Sequence, residues 1–404
     1  MHVKTGFPRD IMIKPPIIKI LILIILCVFI QYSSYPQDSL KQKKLVFNGY
    51  VKDLQTIIFQ DIKGDWTTAN LIHNRLNFKW LMSSSFTTSV ELRNRFFYGD
   101  MLTAFPGYDK TFETDNGITK LTKNIFEEKS FLLNTAIDRA WLQYSTNKIN
   151  LTLGRQRINW GQTFVWNPND IFNTYSYFDF DYEEKPGSDA IRMQYYSGSA
   201  SVIEFAVKSN NQKKVTAAGL YRFNKWNYDF QFIGGFADQE DFVIGTAWSG
   251  QILKGGFRGE ASYFHPQENF NDTTGILLAS IGYDYTFKNS LFIQFEALYN
   301  GNNKSMNIFS LDQLNNNSMS TKNLFLSNYS MFCSLSYPVT PLVSGSLAGI
   351  VNTRNKLFFI IPSVNISLKE NLELSFIAQI LRDYGKQANN QNLNFIFARL
   401  KSSF

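Results

Sequence analysis

Residues 70–98 read NLIHNRLNFKWLMSSSFTTSVELRNRFFY. Ile72, Leu76, Phe78 and Trp80 alternate with His73, Arg75, Asn77 and Lys79. After the short turn Ser83–Ser85, Phe86, Val90, Leu92, Phe96 and Tyr98 alternate with Thr87, Ser89, Glu91, Arg93 and Arg95. A period of two marks strands with one apolar and one wet face. Strands of a soluble sandwich usually run to ~5–6 residues. Here the alternation holds for about ten, the length a tilted strand needs to cross a bilayer.

The same reading extends along the chain. Trp226, Tyr228, Phe230 and Phe232 stand against Asn227, Asp229 and Gln231, and Leu291, Ile293, Phe295, Ala297 and Tyr299 against Gln294 and Glu296. With a first strand near 45–60, about 18 strands (16–18) fit before the C-terminus. Their connections fall into two alternating classes. Ser83–Ser85, Asn147–Lys148, Gly198–Ser199, Asn224–Lys225, Lys288–Ser290 and Lys369–Asn371 are short; 99–129, 158–188, 265–274, 301–323 and 382–392 are long. Short turns at one end and long loops at the other are the mark of an all-β, transmembrane, antiparallel up-and-down barrel. The final strand agrees: Ile396, Ala398, Leu400, Ser402 and Phe404 share one phase, and Arg399 and Lys401 take the other.

Composition supports this reading. The chain of 404 residues holds 37 Phe and 20 Tyr, yet only 18% of it is charged and its aromatics are scattered singly through polar sequence. The net charge of +7 comes without a basic run of five, which argues against a nucleic-acid partner. Residues 1–36 read as a secretory signal peptide, with Lys4, Arg9, Lys14 and Lys19 before or inside the apolar run Ile17–Ile30 and cleavage between Ser33 and Gln37. Met12 is an alternative start. Cys27 falls within that run, so Cys333 is alone in residues 37–404, the expected barrel. The expected location is the outer membrane of a Gram-negative cell, in contact with lipid and lipopolysaccharide and inserted by the barrel-insertion machinery.

Alternation also nominates an inner face: Glu91, Arg93, Arg95, Asp229, Arg258, Glu260, Gln294, Glu296, Glu373, Gln379 and Arg399. Both signs are present, so this face suits polar solutes without declaring for anions or cations. The segment 151–193, LTLGRQRINWGQTFVWNPNDIFNTYSYFDFDYEEKPGSDAIRM, is the most distinctive in the chain. Gly154 near a strand end permits a close backbone approach, and Arg155 and Arg157 share a face opposite Gln156. The loop after them, with Trp160, Trp166, Tyr175, Tyr177, Phe178 and Tyr182, is expected to fold inward and narrow the channel. The other reading is an outer loop with interfacial aromatics. Pore-lining and constriction candidates are Arg93, Arg95, Arg155, Arg157, Trp160, Trp166, Asp170, Asp189, Arg192, Arg258, Glu260 and Glu296.

Gly154-Arg155-Gln156-Arg157, Trp160-Gly161, the Asn-Pro and Asp-rich loop, Pro186-Gly187 and Asp189-Ala190 resemble a group of porin-like barrels, the "GRQ…WG" outer-membrane type, and more distantly alginate-export porins. That resemblance covers about 40 residues and implies the fold without a substrate.

No phosphate-binding loop, CxxC, HExxH or dinucleotide fingerprint is present, and no cofactor is expected. His73, in the inward phase, reads as a structural lumen residue. The acidic residues Asp170, Asp179, Asp181, Glu183, Glu184 and Asp189 lack the spacing of a calcium loop. The expected function is therefore a non-enzymatic channel for passive or weakly selective passage of small hydrophilic solutes. The alternative is a barrel serving as an adaptor for secretion or surface-polysaccharide assembly. A homo-oligomer has no signal beyond the girdle aromatics Tyr144, Tyr196, Tyr221 and Tyr337.

Overall fold

The computed structural model describes residues 44–104, 107–173, 184–302, 320–325, 327–353, 356–383 and 392–404. The expected signal segment 1–36 lies outside them. Twenty strands form one sheet. The first ten are β1 (Leu45–Phe59), β2 (Thr67–Thr68), β3 (Asn70–Leu81), β4 (Phe86–Tyr98), β5 (Thr122–Glu128), β6 (Phe131–Ser145), β7 (Ile149–Gln156), β8 (Ser188–Tyr196), β9 (Val202–Ser209) and β10 (Val215–Lys225). The remaining ten are β11 (Tyr228–Ala237), β12 (Asp241–Ile252), β13 (Gly255–Pro266), β14 (Ile276–Thr286), β15 (Phe292–Asn300), β16 (Tyr329–Thr340), β17 (Val343–Asn352), β18 (Leu357–Lys369), β19 (Leu372–Asp383) and β20 (Asn392–Ser403).

Eighteen of them make the wall. Each pairs antiparallel with the next, and β1 closes on β20 from Tyr50↔Ser403 to Phe59↔Asn394. β2 and β5 are short additions at the rim, paired to β1 and β6. Closure removes both sheet edges, so every wall strand has a partner on each side and no backbone row faces hydrocarbon unpaired.

The phases fall as the alternation requires. Phe78 and Trp80 on β3, Tyr144 on β6, Tyr221 on β10 and Tyr337 on β16 are exposed on the outer face, near the end that carries the short turns. On β8 the outward tyrosine is Tyr195, while the expected girdle residue Tyr196 takes the inward phase and its hydroxyl accepts from Asn150. Tyr263, Tyr299 and Tyr329 lie toward the other end. Those are the two aromatic girdles of a membrane barrel. Cys333, exposed and unpaired, shares the outer phase.

The short-turn end is the periplasmic end in such a fold. Trp226–Asn227 and Leu253–Lys254 are two-residue turns with positive φ at both positions. The first lies two residues beyond the turn expected at Asn224–Lys225, because β10 runs on to Lys225. At the opposite end the loops are not uniformly long. The links 210–214 and 238–240, of five and three residues, are no longer than the turns 287–291 and 146–148 at the short-turn end.

Two irregularities shape the interior. Glu91 pairs with Arg139 while Leu92 pairs with Ile137, a β-bulge that aims both Asp138 and Arg139 inward. Gly154 has φ +109, and a Cβ there would lie 2.3 Å from the Ala140 carbonyl oxygen. Only glycine allows β6 and β7 that approach.

Candidate functional site

The lumen begins with what β7 does at its end. Residues 157–173 turn back across the inner face of the wall and lie against β9, β11, β13 and β15 in succession. Ile158, Trp160, Val165, Trp166, Ile171 and Phe172 are buried there. Apolar packing alone would not hold such a segment, because its backbone amides leave water as it docks. Wall carboxylates receive them. Glu296 accepts the backbone N–H groups of Phe164 (3.0 Å), Val165 (3.1 Å) and Trp166 (2.7 Å), and the Ser280 hydroxyl at 3.0 Å. Glu260 accepts the N–H groups of Thr163 and Asn169, each at 3.2 Å, together with the Thr163 hydroxyl.

Glu204 takes the Trp160 indole N–H at 2.6 Å and a two-pronged bond from Arg192 at 2.7 and 2.8 Å. Gln231 donates to the Trp160 carbonyl (2.7 Å), and Ser262 donates to the Asn169 side-chain oxygen (2.6 Å). Arg258 pairs with Asp284 and lies 3.8 Å over the Phe164 ring, a cation–π contact at the segment's exposed turn. Nearby, Phe325 of a second inward segment meets Trp166 edge-on at 5.5 Å, its carbonyl held by Asn300.

The other side of the lumen is cationic. Register places Lys52 of β1, Arg75 of β3, Arg93 and Arg95 of β4, Arg139 of β6 and Arg399 and Lys401 of β20 in the inward phase, with His73 among them. Arg75 is fully buried. It donates to Asp138 (2.6 Å) and Glu91 and lies 3.7 Å from Glu184. Arg93 reaches the second oxygen of Asp138 at 3.1 Å. Arg139 donates to the Glu184 carbonyl, and Tyr50 to the Glu184 carboxylate. Arg95 donates to Asn134 and lies against the Phe97 and Phe112 rings, which stack at 4.0 Å. Arg399 pairs with Glu373 at 2.8 Å.

Two charges of the inward loop are perturbed. Burial pushes the Asp170 carboxyl up to about 7, although Arg157 and Lys185 face it. Burial, with Arg157 beside it, pulls the Lys185 ammonium down to about 8.

The twelve residues nominated from sequence thus divide by place. Arg192, Arg258, Glu260 and Glu296 stand on the wall under the docked segment, and Arg157, Trp160, Trp166 and Asp170 lie in the segment itself. Arg93 and Arg95 stand on the cationic side. Arg155 and Asp189 lie elsewhere. Thr152, Gly154 and Gln156 take the inward phase, so Arg155 takes the outer phase of Leu153 and Ala140. There it binds Asp189 (2.6 Å), Asp115 (2.8 Å) and the Thr119 carbonyl, which fastens segment 115–119 to the wall. Tyr175, Tyr177, Phe178, Asp179, Asp181, Tyr182 and Glu183 lie outside the described residues. Among the described residues no group of His, Cys, Asp or Glu side chains is placed to hold a metal ion.

Sequence reasoning missed Glu204, Asn169, Lys52 and Asp138, and it placed Arg75 and Gln231 on the wet face of the alternation without naming them as candidates. The inward phase of their strands was the signal for the wall residues. Asp138 keeps the phase of Leu132, Asn134 and Ala136, and the bulge beside it turns Arg139 inward as well.

No family model matches the sequence, and no curated protein matches it. Solved structures do. OccAB4 of Acinetobacter baumannii superposes with a TM-score of 0.55 at 9% identity, over 90% of this chain and 99% of that one. The outer membrane protein OpdK of Pseudomonas aeruginosa gives 0.56 at 8%, over 89% and 98%. OprD of Pseudomonas aeruginosa gives 0.53 at 6%, over 89% and 95%. At such identities the likeness is one of fold. It supports a porin-like barrel and fits an outer-membrane location; it does not extend to the alginate-export porins or to the GRQ…WG motif.

Proposed function

We propose that this protein is an outer-membrane channel for passive passage of small hydrophilic solutes, and that its lumen favours anions. The observation that carries the preference is the uneven use of charge around the wall. On the β9–β15 side, Glu260 and Glu296 spend their lone pairs on backbone N–H groups of segment 163–169, and Glu204 and Asp284 are paired to Arg192 and Arg258. On the opposite side Lys52, Arg75, Arg93, Arg95, Arg139, Arg399 and Lys401 stand against Glu91, Asp138, Glu184 and Glu373, seven cations to four carboxylates. An eighteen-strand wall is too wide for side chains alone to fill. A solute passing between a neutralised wall and a cationic one meets a net positive field, strongest for carboxylates and phosphates.

The docked segment 157–173 supports the reading of a fixed constriction, since it narrows the lumen while being bonded to β9, β11, β13 and β15. Glu296, Glu260 and Glu204 act as its anchors; Arg93, Arg95, Arg139, Arg399 and Lys401 act as the solute-facing charge, while the fully buried Lys52 and Arg75 contribute to the field behind them. Liposome swelling tests the proposal. Purified protein should admit small organic acids faster than neutral sugars of equal size. Equal rates would remove the anion preference, and swelling no faster than in protein-free vesicles would remove the channel.

A further inference from the structure

The periplasmic rim carries a charge pattern that the channel does not use. The eight short turns with their immediate flanks hold Lys148, Lys225, Lys254, Lys288 and Lys369 against one acid, Glu370. Two of these turns, 253–254 and 287–291, flank a groove of about 370 Å³ on the outer face of the wall. Its lining is Leu253 with Tyr283, Tyr285, Phe287, Ile293 and Phe295. Gly255 keeps it open, because a Cβ there would meet the Tyr283 ring and hydroxyl at 2.4 Å.

Leu253 is the odd residue. It sits at φ +49, a conformation bulky side chains avoid, and is 85% exposed at the tip of a turn. In water such a side chain gains nothing; beside an acyl chain it does. The neighbouring turn repeats the device with Trp226 at φ +55, its ring 4.5 Å from the Lys225 ammonium. An aromatic-lined slot running up the wall, with a lysine in each of the two turns that flank its lower end, matches one molecule in two parts.

We propose that this groove is a binding site for an anionic glycerophospholipid of the inner leaflet. One acyl chain lies against Tyr283, Tyr285 and Phe287 under Leu253, and the headgroup phosphate is held between Lys254 and Lys288. The inference rests on the barrel spanning the membrane, and not on what passes through it. A basic side chain near an anionic headgroup contributes about 1 kcal/mol, so losing both lysines weakens retention about 30-fold.

The test is native mass spectrometry of the full mature protein from nanodiscs of equimolar phosphatidylglycerol and phosphatidylcholine. Wild type should retain phosphatidylglycerol preferentially. Lys254→Gln/Lys288→Gln should bind both lipids equally, and Leu253→Ser, at an exposed tip, should lower retention of both. Heat-modifiable migration in each variant reports that the barrel is intact. Equal retention of the two lipids by wild type overturns the proposal, as does an unchanged preference in the double lysine variant. Displacement of the lipid by inorganic phosphate would assign the site to a free anion and overturn it also.

Discussion

Replacing Glu296 with Ala tests the docking of segment 157–173 most sharply. The carboxylate is completely buried and accepts three consecutive backbone N–H groups, from Phe164, Val165 and Trp166, plus the Ser280 hydroxyl. Each bond to a charged acceptor contributes about 1.5–3 kcal/mol, and each amide left buried without a partner costs about 1–3 kcal/mol. Water in the vacated space recovers part of this, so the docked state loses about 3 kcal/mol, a factor on the order of 100 in the docking equilibrium. Glu260 and Glu204 still hold the flanking residues, so the release is local to 164–166. The expected result is a larger and noisier single-channel conductance, with new protease cleavage within 163–167. Glu260→Ala/Glu296→Ala should extend both effects to the whole segment. Conductance and protease resistance identical to wild type in the double variant would refute carboxylate anchoring.

Three further outcomes follow from named contacts. Asp170 has its carboxyl raised by burial from 3.8 to about 7, so its protonated form favours the docked loop. Its contribution is full below about pH 4 and is lost as pH rises through 7, about 4 kcal/mol at most; anion selectivity should rise as pH falls from 8 to 6, and Asp170→Asn should reduce that change to the part carried by Lys185, which gains its charge near 8. Gly154→Ala forces a Cβ to 2.3 Å from the Ala140 oxygen at a positive φ, and should lower refolding yield and the temperature of heat-modified migration. Lys401→Glu, on the cationic wall opposite Lys52, should shift the reversal potential toward cations without altering heat modifiability.

The wall was legible in the sequence because its physics is local. Alternation in Ile72–Trp80 or Phe86–Tyr98 follows from lipid on one side and water on the other, and neither depends on distant contacts. Turn positions were readable to about two residues, as at Trp226–Asn227, where positive φ at a Trp gives no compositional warning. The interior was less legible. Arg155 and Gln156 were separable into opposite faces, but which face looks inward is set by the pairing of Gly154 with Ala190 and Trp141. The bulge that turns Asp138 and Arg139 the same way leaves no signature in residue type. That Glu204, Glu260 and Glu296 would meet the amides of 160–169 depends on residues 44–132 positions apart coming together, which no window of sequence contains.

The central claim is a pore lined by a neutralised wall and a cationic one, and the reversal potential in a planar bilayer under a potassium chloride gradient measures it directly. Stable open steps with a reversal potential on the chloride side are the expected result. Open steps with a potential on the potassium side would contradict the charge assignment, and folded, heat-modifiable protein that gives no steps at all would contradict the pore.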